Sequence, residues 1–176
     1  MKGRHVLSVL VENRFGELAR VVGLFAGRGF NIDALAVNVT TDPAFSKIVL
    51  TTRGSDAIVE QIVKQLRKLI RVTKVVDLSD ERAIERELCL VTVQAAGAAA
   101  RQEVERVVSL TGARVIAFAH TAFTVEVCAT SQEIDQFLEM LRPLGIRDMA
   151  RSAPIAVTRP GAEMAGESFP PLGGVA

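Results

Sequence analysis

"VENRFGELARVVGLFAGRGFNID", residues 11–33, decides the fold class. It begins at the end of an apolar run, His5 to Glu12, that reads as a strand. Leu18, Val21, Val22 and Phe25 then recur at the i, i+3, i+4, i+7 spacing of one helical face, predicting a helix over Gly16–Arg28. Gly27 and Gly29 end that helix. A second strand, Asn31 to Thr41, comes next. The junction between first strand and helix is particular in its residues. Almost any capping residue would connect the two, yet Asn13, Arg14, Phe15 and Gly16 stand there, and another asparagine, Asn31, opens the next strand.

Outward from this stretch, Asp42-Pro43 marks a turn and Ser46 to Arg53 a strand. Gly54-Ser55-Asp56 stops that strand and caps a helix with Ile58, Val59, Ile62, Val63, Leu66 and Leu69 on one face. Val72 to Leu78 is a further strand. The order βαββαβ is the ferredoxin-like split motif, an antiparallel sheet with helices on one face. Ser79 to Glu87 is rich in charge and reads as a linker or a strand lead-in. The pattern then returns. Strands are expected at Leu88–Gln94, Arg114–Ala119, Phe123–Ala129 and Arg147–Val157. Helices are expected at Arg101–Leu110, with Val104, Val107 and Val108 inward, and at Ser131–Leu141, capped by Ser131, with Ile134, Phe137, Leu138 and Leu141 inward. The expectation is an α+β chain of two tandem ferredoxin-like domains, 1–79 and 80–158, with a Pro-, Gly- and Ser-rich disordered tail, 159–176. In such a sheet the second strand lies at an edge. Asn31–Thr41 is long and carries few charges, so it invites pairing with a second copy and predicts a homodimer with one sheet running across the two-fold axis.

Composition narrows the function. Net charge is +1, from 21 basic and 20 acidic residues, which leaves no electrostatic footprint for nucleic acid. Aromatic content is low, with no Trp and no Tyr, which argues against a base-stacking surface. No run approaches the roughly 18 apolar residues of a membrane span. The run Val6–Val11 is too short for a signal-peptide core. A cytoplasmic protein with no nucleic-acid or membrane partner is therefore expected. Cys89 and Cys128 lie in apolar runs and read as small buried hydrophobes in a reduced compartment, with a disulfide the weaker alternative. Asn38-Val39-Thr40 matches a glycosylation acceptor by chance. His5 and His120 are far apart, and no nucleophile elbow, phosphate loop, dinucleotide loop or metal-ligand spacing is present. An enzyme without nucleophile, base or metal set is a weak proposition.

The opening junction suits a ligand instead. Amides at a helix start lack intrahelical partners. Those of Glu17 and Leu18, with the positive end of the helix dipole, would suit a carboxylate. Gly16 lets a ligand approach the backbone. Asn13 offers both a donor and an acceptor, and Asn31 begins the edge strand. An α-amino acid would match this set, with its aliphatic side chain toward Leu18 and Ile32. The same residues also serve as a plain cap and turn.

Residues 5–78 resemble an ACT domain, a small regulatory module that binds amino acids at a dimer interface. "LSVLVENRFGELARVVGLFAGRGFNIDALAV", "TDPAFSKIVLTT" and "VEQIVKQLRKLIRVTKVVDL" resemble, more closely, the regulatory (small) subunits of acetolactate synthase, also called acetohydroxyacid synthase. The resemblance continues through "ERELCLVTV" and "MARSAPIAV". It implies a chain that is not itself catalytic. The partner would be a large subunit carrying thiamine diphosphate, magnesium and FAD, which condenses two pyruvates or pyruvate with 2-oxobutyrate. The small subunit would raise that activity and confer feedback inhibition, typically by valine, with no cofactor of its own. Asn13, Gly16, Leu18, Asn31 and Ile32 match the family's effector-loop positions, and with Phe15 and Glu17 they form the expected effector-binding set. Three positions depart from the family pattern: Phe15, where proline is common; Thr92, where lysine is frequent; and Ala153, where glycine comes after "ARS". "AAGAAARQE" replaces the Asn–Gly pair in the second half, so one effector site per chain is expected. The alternative is a free-standing tandem ACT sensor of amino acids. An acylphosphatase-like activity on the same fold lacks its Gly-rich arginine loop.

Overall fold

Two runs of β-α-β-β-α-β succeed one another along the chain, in a computed structural model that describes residues 3–79 and 83–161. The first comprises β1 (Gly3–Glu12), α1 (Glu17–Gly27), β2 (Ala34–Val39), β3 (Phe45–Gly54), α2 (Asp56–Leu66) and β4 (Val72–Asp77). The second comprises β5 (Ala83–Gln94), α3 (Gly97–Thr111), β6 (Arg114–Ala119), β7 (Ala122–Ala129), α4 (Ser131–Leu141) and β8 (Ile146–Arg151). A last strand, β9 (Ile155–Thr158), ends the described chain. The sheets run β2-β3-β1-β4 and β6-β7-β5-β8, and neighbours along both orders pair antiparallel. This is the expected ferredoxin-like order, and β2 and β6 are edges.

Alternation along the strands builds each core. In the first unit Leu7, Val9 and Val11 of β1 meet Val21 and Phe25 of α1 and Val59, Ile62 and Leu66 of α2. In the second, Cys89, Val91 and Val93 meet Val104, Val107, Ile134, Phe137 and Leu141. Burying each of these side chains contributes roughly 1.5–3 kcal/mol. The end of α1 is fixed locally. Gly29 takes φ 69°, its N–H donates to the Ala26 carbonyl and that of Phe30 to the Phe25 carbonyl. That is a Schellman motif, completed by an edge-to-face contact of the two rings at 6.2 Å. Gly29 is the residue the motif requires, whereas Gly27 is still helical.

Several expectations change. The helical face of α1 is narrower than its sequence suggests: Val21 and Phe25 are buried with Glu17, while Leu18 and Val22 remain exposed on the flank. Helix α3 starts at Gly97, four positions before the expected Arg101, because the alanines that read as a loop are strong helix formers. The cap of α4 is Thr130, not Ser131. Its hydroxyl accepts from the Glu133 N–H, and the Glu133 carboxylate accepts from the Thr130 N–H, a complete capping box. Ser55 does stand at the start of α2, but its side chain makes no capping bond. Cys128 is exposed rather than buried, since it lies on the sheet face away from the helices, opposite Leu88. Cys89 is buried, and burial raises its thiol pKa. Residues 83–87 join β5, and Glu87 is buried there against Arg151.

The final expected strand, 147–157, is two strands. Pro154 cannot donate to a ladder, and the pairing of β8 ends before it. Strand β9, beyond the proline, pairs with β5, although by compactness its residues group with the other unit. By compactness, residues 85–153 form one unit, and 154–161 group with 3–79, 83 and 84 in the other. Ala156 is buried with Val6, Val49, Val76 and Leu78, on the face of the first sheet opposite the helices. The Lys47 ammonium donates to the Ala156 carbonyl at 2.8 Å. Burial, and then the nearby Lys74, hold the pKa of Lys47 below the usual lysine range. The expected tail beyond residue 161, and residues 80–82 of the expected linker, lie outside the described residues.

Candidate functional site

The β1–α1 junction is built by one turn. Gly16 has φ 85° and ψ −7°, the dihedrals of the third residue of a type II turn, and the Glu17 N–H reaches back to the Arg14 carbonyl at 3.4 Å. A left-handed residue is needed here, which is why glycine stands at 16. The second position of such a turn is the one proline favours. Phe15 occupies it, and its side chain is fully exposed. A Cβ placed on Gly16 would meet nothing within 4 Å, so the backbone faces open space.

Helix α1 has no side-chain cap. Its first-turn amides are left for solvent or ligand, apart from the long Glu17–Arg14 bond. The Glu17 side chain, 4% exposed, turns inward. Its carboxylate lies 3.4 Å from Arg20 and 3.6 Å from Arg71. Those two arginines, not singled out by sequence, bring positive charge to the helix start. Arg20 stands at the i, i+3 spacing from Glu17 that permits such a pair. Arg71 comes from the loop before β4 and had no local signal.

Asn13 is tied on one side. Its N–H donates to the Ala44 carbonyl at 2.7 Å, and its side-chain amide donates to the Pro43 carbonyl at 3.0 Å. Its side-chain carbonyl can accept a further bond. Asn31 donates to Asp33 at 2.7 Å, and Asp33 also receives Arg53 at 2.9 Å. The Asn31 carbonyl accepts from the Thr52 hydroxyl at 2.7 Å. Ile32 is partly buried against the first core, and Leu18 is exposed.

The expected residues form two groups, not one. Asn13, Phe15, Gly16, Glu17 and Leu18 gather beyond Glu12, the last residue of β1, which pairs with Phe45. Asn31 and Ile32 lie at the opposite end of the sheet, beside Thr52, which pairs with His5. From His5 to Glu12 the strand spans about 23 Å at roughly 3.3 Å per residue. A single copy therefore does not bring Asn13 and Asn31 together.

In the second unit, Thr92 shares a hydrogen bond with Thr124 at 3.0 Å, and Ala153 accepts one from the Ser152 hydroxyl. Arg151 binds Glu87, Asp135 and Ser131, fastening β8 to β5 and the start of α4. Among the described residues, no group of three or more His, Cys, Asp or Glu side chains is placed to hold a metal ion, and no helix is long and apolar enough to cross a membrane.

Comparison with known proteins also divides the chain in two, with residues 154–160 falling in the second match. Residues 7–74 match the family described as "AHAS small subunit-like ACT domain", and residues 86–160 match "Small subunit of acetolactate synthase". The chain is 43% identical over 155 residues to the probable acetolactate synthase small subunit of Methanothermobacter thermautotrophicus, covering 88% of this chain and 92% of that one. It is 40% identical over 157 residues to the isozyme 3 small subunit of Escherichia coli, covering 89% and 96%. The crystal structure of the acetolactate synthase small subunit from Thermotoga maritima superposes with a TM-score of 0.79 at 30% identity, covering 89% of this chain and 98% of that one.

Proposed function

Because the chain belongs to the acetolactate synthase small-subunit family, we propose that it stimulates a large catalytic subunit and confers feedback inhibition by valine or another branched-chain amino acid. The chain supplies binding. Thiamine diphosphate, magnesium and FAD belong to the large subunit. The first unit holds the effector and the dimer edge.

One observation carries the effector reading: the two groups of site residues lie at opposite ends of the first sheet, of which β2 is an edge strand. Edge strands paired about a two-fold axis run antiparallel. The start of one copy's β2 then lies beside the end of the other's, and Asn31 of each copy approaches the Asn13–Leu18 loop of its mate. The uncovered Leu18, Val22, Val37 and Val39 suit such an apolar contact. The amino-acid carboxylate meets the first-turn amides of α1, with Arg20 and Arg71 close by. Its ammonium meets the free side-chain carbonyl of Asn13 and the second copy's Asn31. An effector that bridges two copies favours one mutual arrangement. A tenfold shift in that equilibrium takes about 1.4 kcal/mol of differential affinity, within reach of one or two charge-assisted hydrogen bonds.

The test is a mixed dimer reconstituted with the large subunit. Gly16→Asp and Asn31→Ala homodimers each lack both sites. A dimer of one chain of each kind carries both lesions in one site and none in the other. Coexpressing the two variants should therefore restore about a quarter of the wild-type valine sites, read by calorimetry, if pairing is random. No recovery would remove the two-copy site. A large-subunit rate unchanged by saturating wild-type chain would remove the regulatory assignment.

A further inference from the structure

The turn between β2 and β3 is a closed, internally bonded unit. Thr40 donates its N–H to the Phe45 carbonyl at 3.0 Å and its hydroxyl to the Asp42 carbonyl at 2.8 Å. Phe45 donates to the Asp42 carbonyl at 3.0 Å, and Ala44 donates to the Asp42 carboxylate at 2.9 Å. Such a turn moves as one piece. It is fastened to the β1–α1 loop by the two Asn13 bonds, from the backbone to Ala44 and from the side chain to Pro43. It also ends β2, whose last pair is Val39 with Ser46.

The backbone and side-chain amides of Asn13 both donate to the turn, and its side-chain oxygen does not take part. The residue can therefore serve two partners: its donors hold the hairpin, and its side-chain oxygen can accept from a ligand. We propose that Asn13 is a positioning residue that latches the β2–β3 turn to the effector loop, so that occupancy of the loop is transmitted to the edge strand β2. This rests on the proposed effector site and adds the route by which that site acts on the dimer edge. An ammonium on the side-chain carbonyl polarises the amide group and strengthens its donation to Pro43. The turn is then held more tightly, and β2 is presented in one arrangement.

The roles separate by substitution in the full chain. Asn13→Asp keeps an oxygen for the ammonium and loses the donor to Pro43. Asn13→Ala loses both. Asp42→Ala loosens the turn from its far side, and Asp42→Asn retains the oxygen that receives Ala44. Amide hydrogen exchange of Thr40 and Phe45, without effector, should quicken roughly two- to tenfold in Asn13→Asp, Asn13→Ala and Asp42→Ala, as expected for one lost hydrogen bond. Asp42→Asn should stay at the wild-type rate. Valine should still bind Asn13→Asp but inhibit the reconstituted enzyme far less. Unchanged exchange in Asn13→Asp would overturn the latch. So would a loosened turn with inhibition fully retained, because the turn would then carry no signal. If wild-type chain binds no valine, the effector reading falls, and the effector-free exchange still decides whether Asn13 holds the turn.

Discussion

The two strand-to-helix junctions share a backbone and differ in what fills it. Glu12 at the end of β1 donates to the Arg71 carbonyl, as Gln94 at the end of β5 donates to that of Gly145. The next residue donates to the neighbouring hairpin in both: Asn13 to Ala44, and Ala95 to Thr121. A left-handed glycine comes soon after in each, Gly16 at φ 85° and Gly97 at φ 83°. The side chains then diverge. In the second junction Ala95 stands where Asn13 does, and Arg101 folds back over the loop. Its guanidinium donates to the His120 carbonyl at 2.6 Å, lies 2.9 Å from the His120 ring nitrogen, and reaches the Ala95 carbonyl at 3.5 Å. The corresponding cation of the first junction, Arg20, turns to Glu17 instead. One junction is left open and the other closes on its own arginine. A repeated backbone has thus been specialised by a few side chains, which supports one effector site per chain.

The strongest break in the comparison comes from the glycines. Gly16→Asp should abolish valine inhibition, a loss of a hundredfold or more in effector affinity, about 3 kcal/mol. Its carboxylate would compete for the first-turn amides and repel the ligand's carboxylate. Gly97→Asp should leave inhibition intact. Both substitutions carry a backbone penalty of roughly 1–2 kcal/mol for a left-handed residue, so the thermal stabilities fall together while the regulation separates. Valine titration of the two reconstituted enzymes decides it. Loss of inhibition in Gly97→Asp would mean that the second junction is also a site.

Much of this comparison is legible in the sequence, and the missing parts share a cause. The apolar periodicity of α2 and α4, the strand order and the edge position of β2 come from local pattern and the βαββαβ order. Gly16 stands out in the sequence, but nothing there says that it must be left-handed. Nor does the sequence say that the Asn13 donors are spent on Pro43 and Ala44, because those bonds depend on how the hairpin meets the loop. The second glycine gives no such signal, since Gly97 and the three alanines after it resemble a loop until the helix is seen to begin there. The association of β9 with the first unit joins residues more than a hundred positions apart, as in the Lys47–Ala156 bond, and no local pattern encodes it.

That long-range association gives the second prediction. If Ala156 completes the first unit, Ala156→Asp should destabilise it by about 2–3 kcal/mol by placing a carboxylate among Val6, Val49, Val76 and Leu78. Hydrogen exchange should quicken across β1, β3 and β4 and leave α3 and α4 near wild type. Loosening confined to residues 154–158 would restore the simpler division of the chain near residue 79. Arg101→Ala is milder. Removing the guanidinium opens the second junction and should cost about 1–2 kcal/mol. It should create no second effector site, because Ala95 supplies no side-chain acceptor. Calorimetric stoichiometry above one effector per chain would show that Arg101 alone keeps the second junction closed.

The smallest effect contrasts the helix starts themselves. Helix α1 has no side-chain cap, whereas α4 carries the capping box of Thr130 and Glu133. Thr130→Ala should lower stability by about 1 kcal/mol, the usual cost of losing a threonine cap, and leave regulation unchanged. The effect should depend on pH. Hydrogen bonds from the Thr130 backbone and then its side chain, with the more distant charge of Arg86, hold the Glu133 carboxyl below its ordinary pKa. A carboxylate depressed in the folded state stabilises at pH above its unfolded value, and that contribution fades as pH falls through the folded value. The gap between wild type and Thr130→Ala should therefore be full at neutral pH and narrow in acid, in denaturant titrations at matched ionic strength. The α1 start has no such box to lose. Ala19, three residues after Gly16 as Glu133 is after Thr130, can become glutamate, but it would find no hydroxyl at Gly16 and a left-handed N-cap in place of the extended backbone with which Thr130 presents its N–H to Glu133. Ala19→Glu should accordingly add no comparable pH-dependent stability. If it does, α1 has a usable cap, and its amides are less open to a ligand carboxylate than the empty cap position implies.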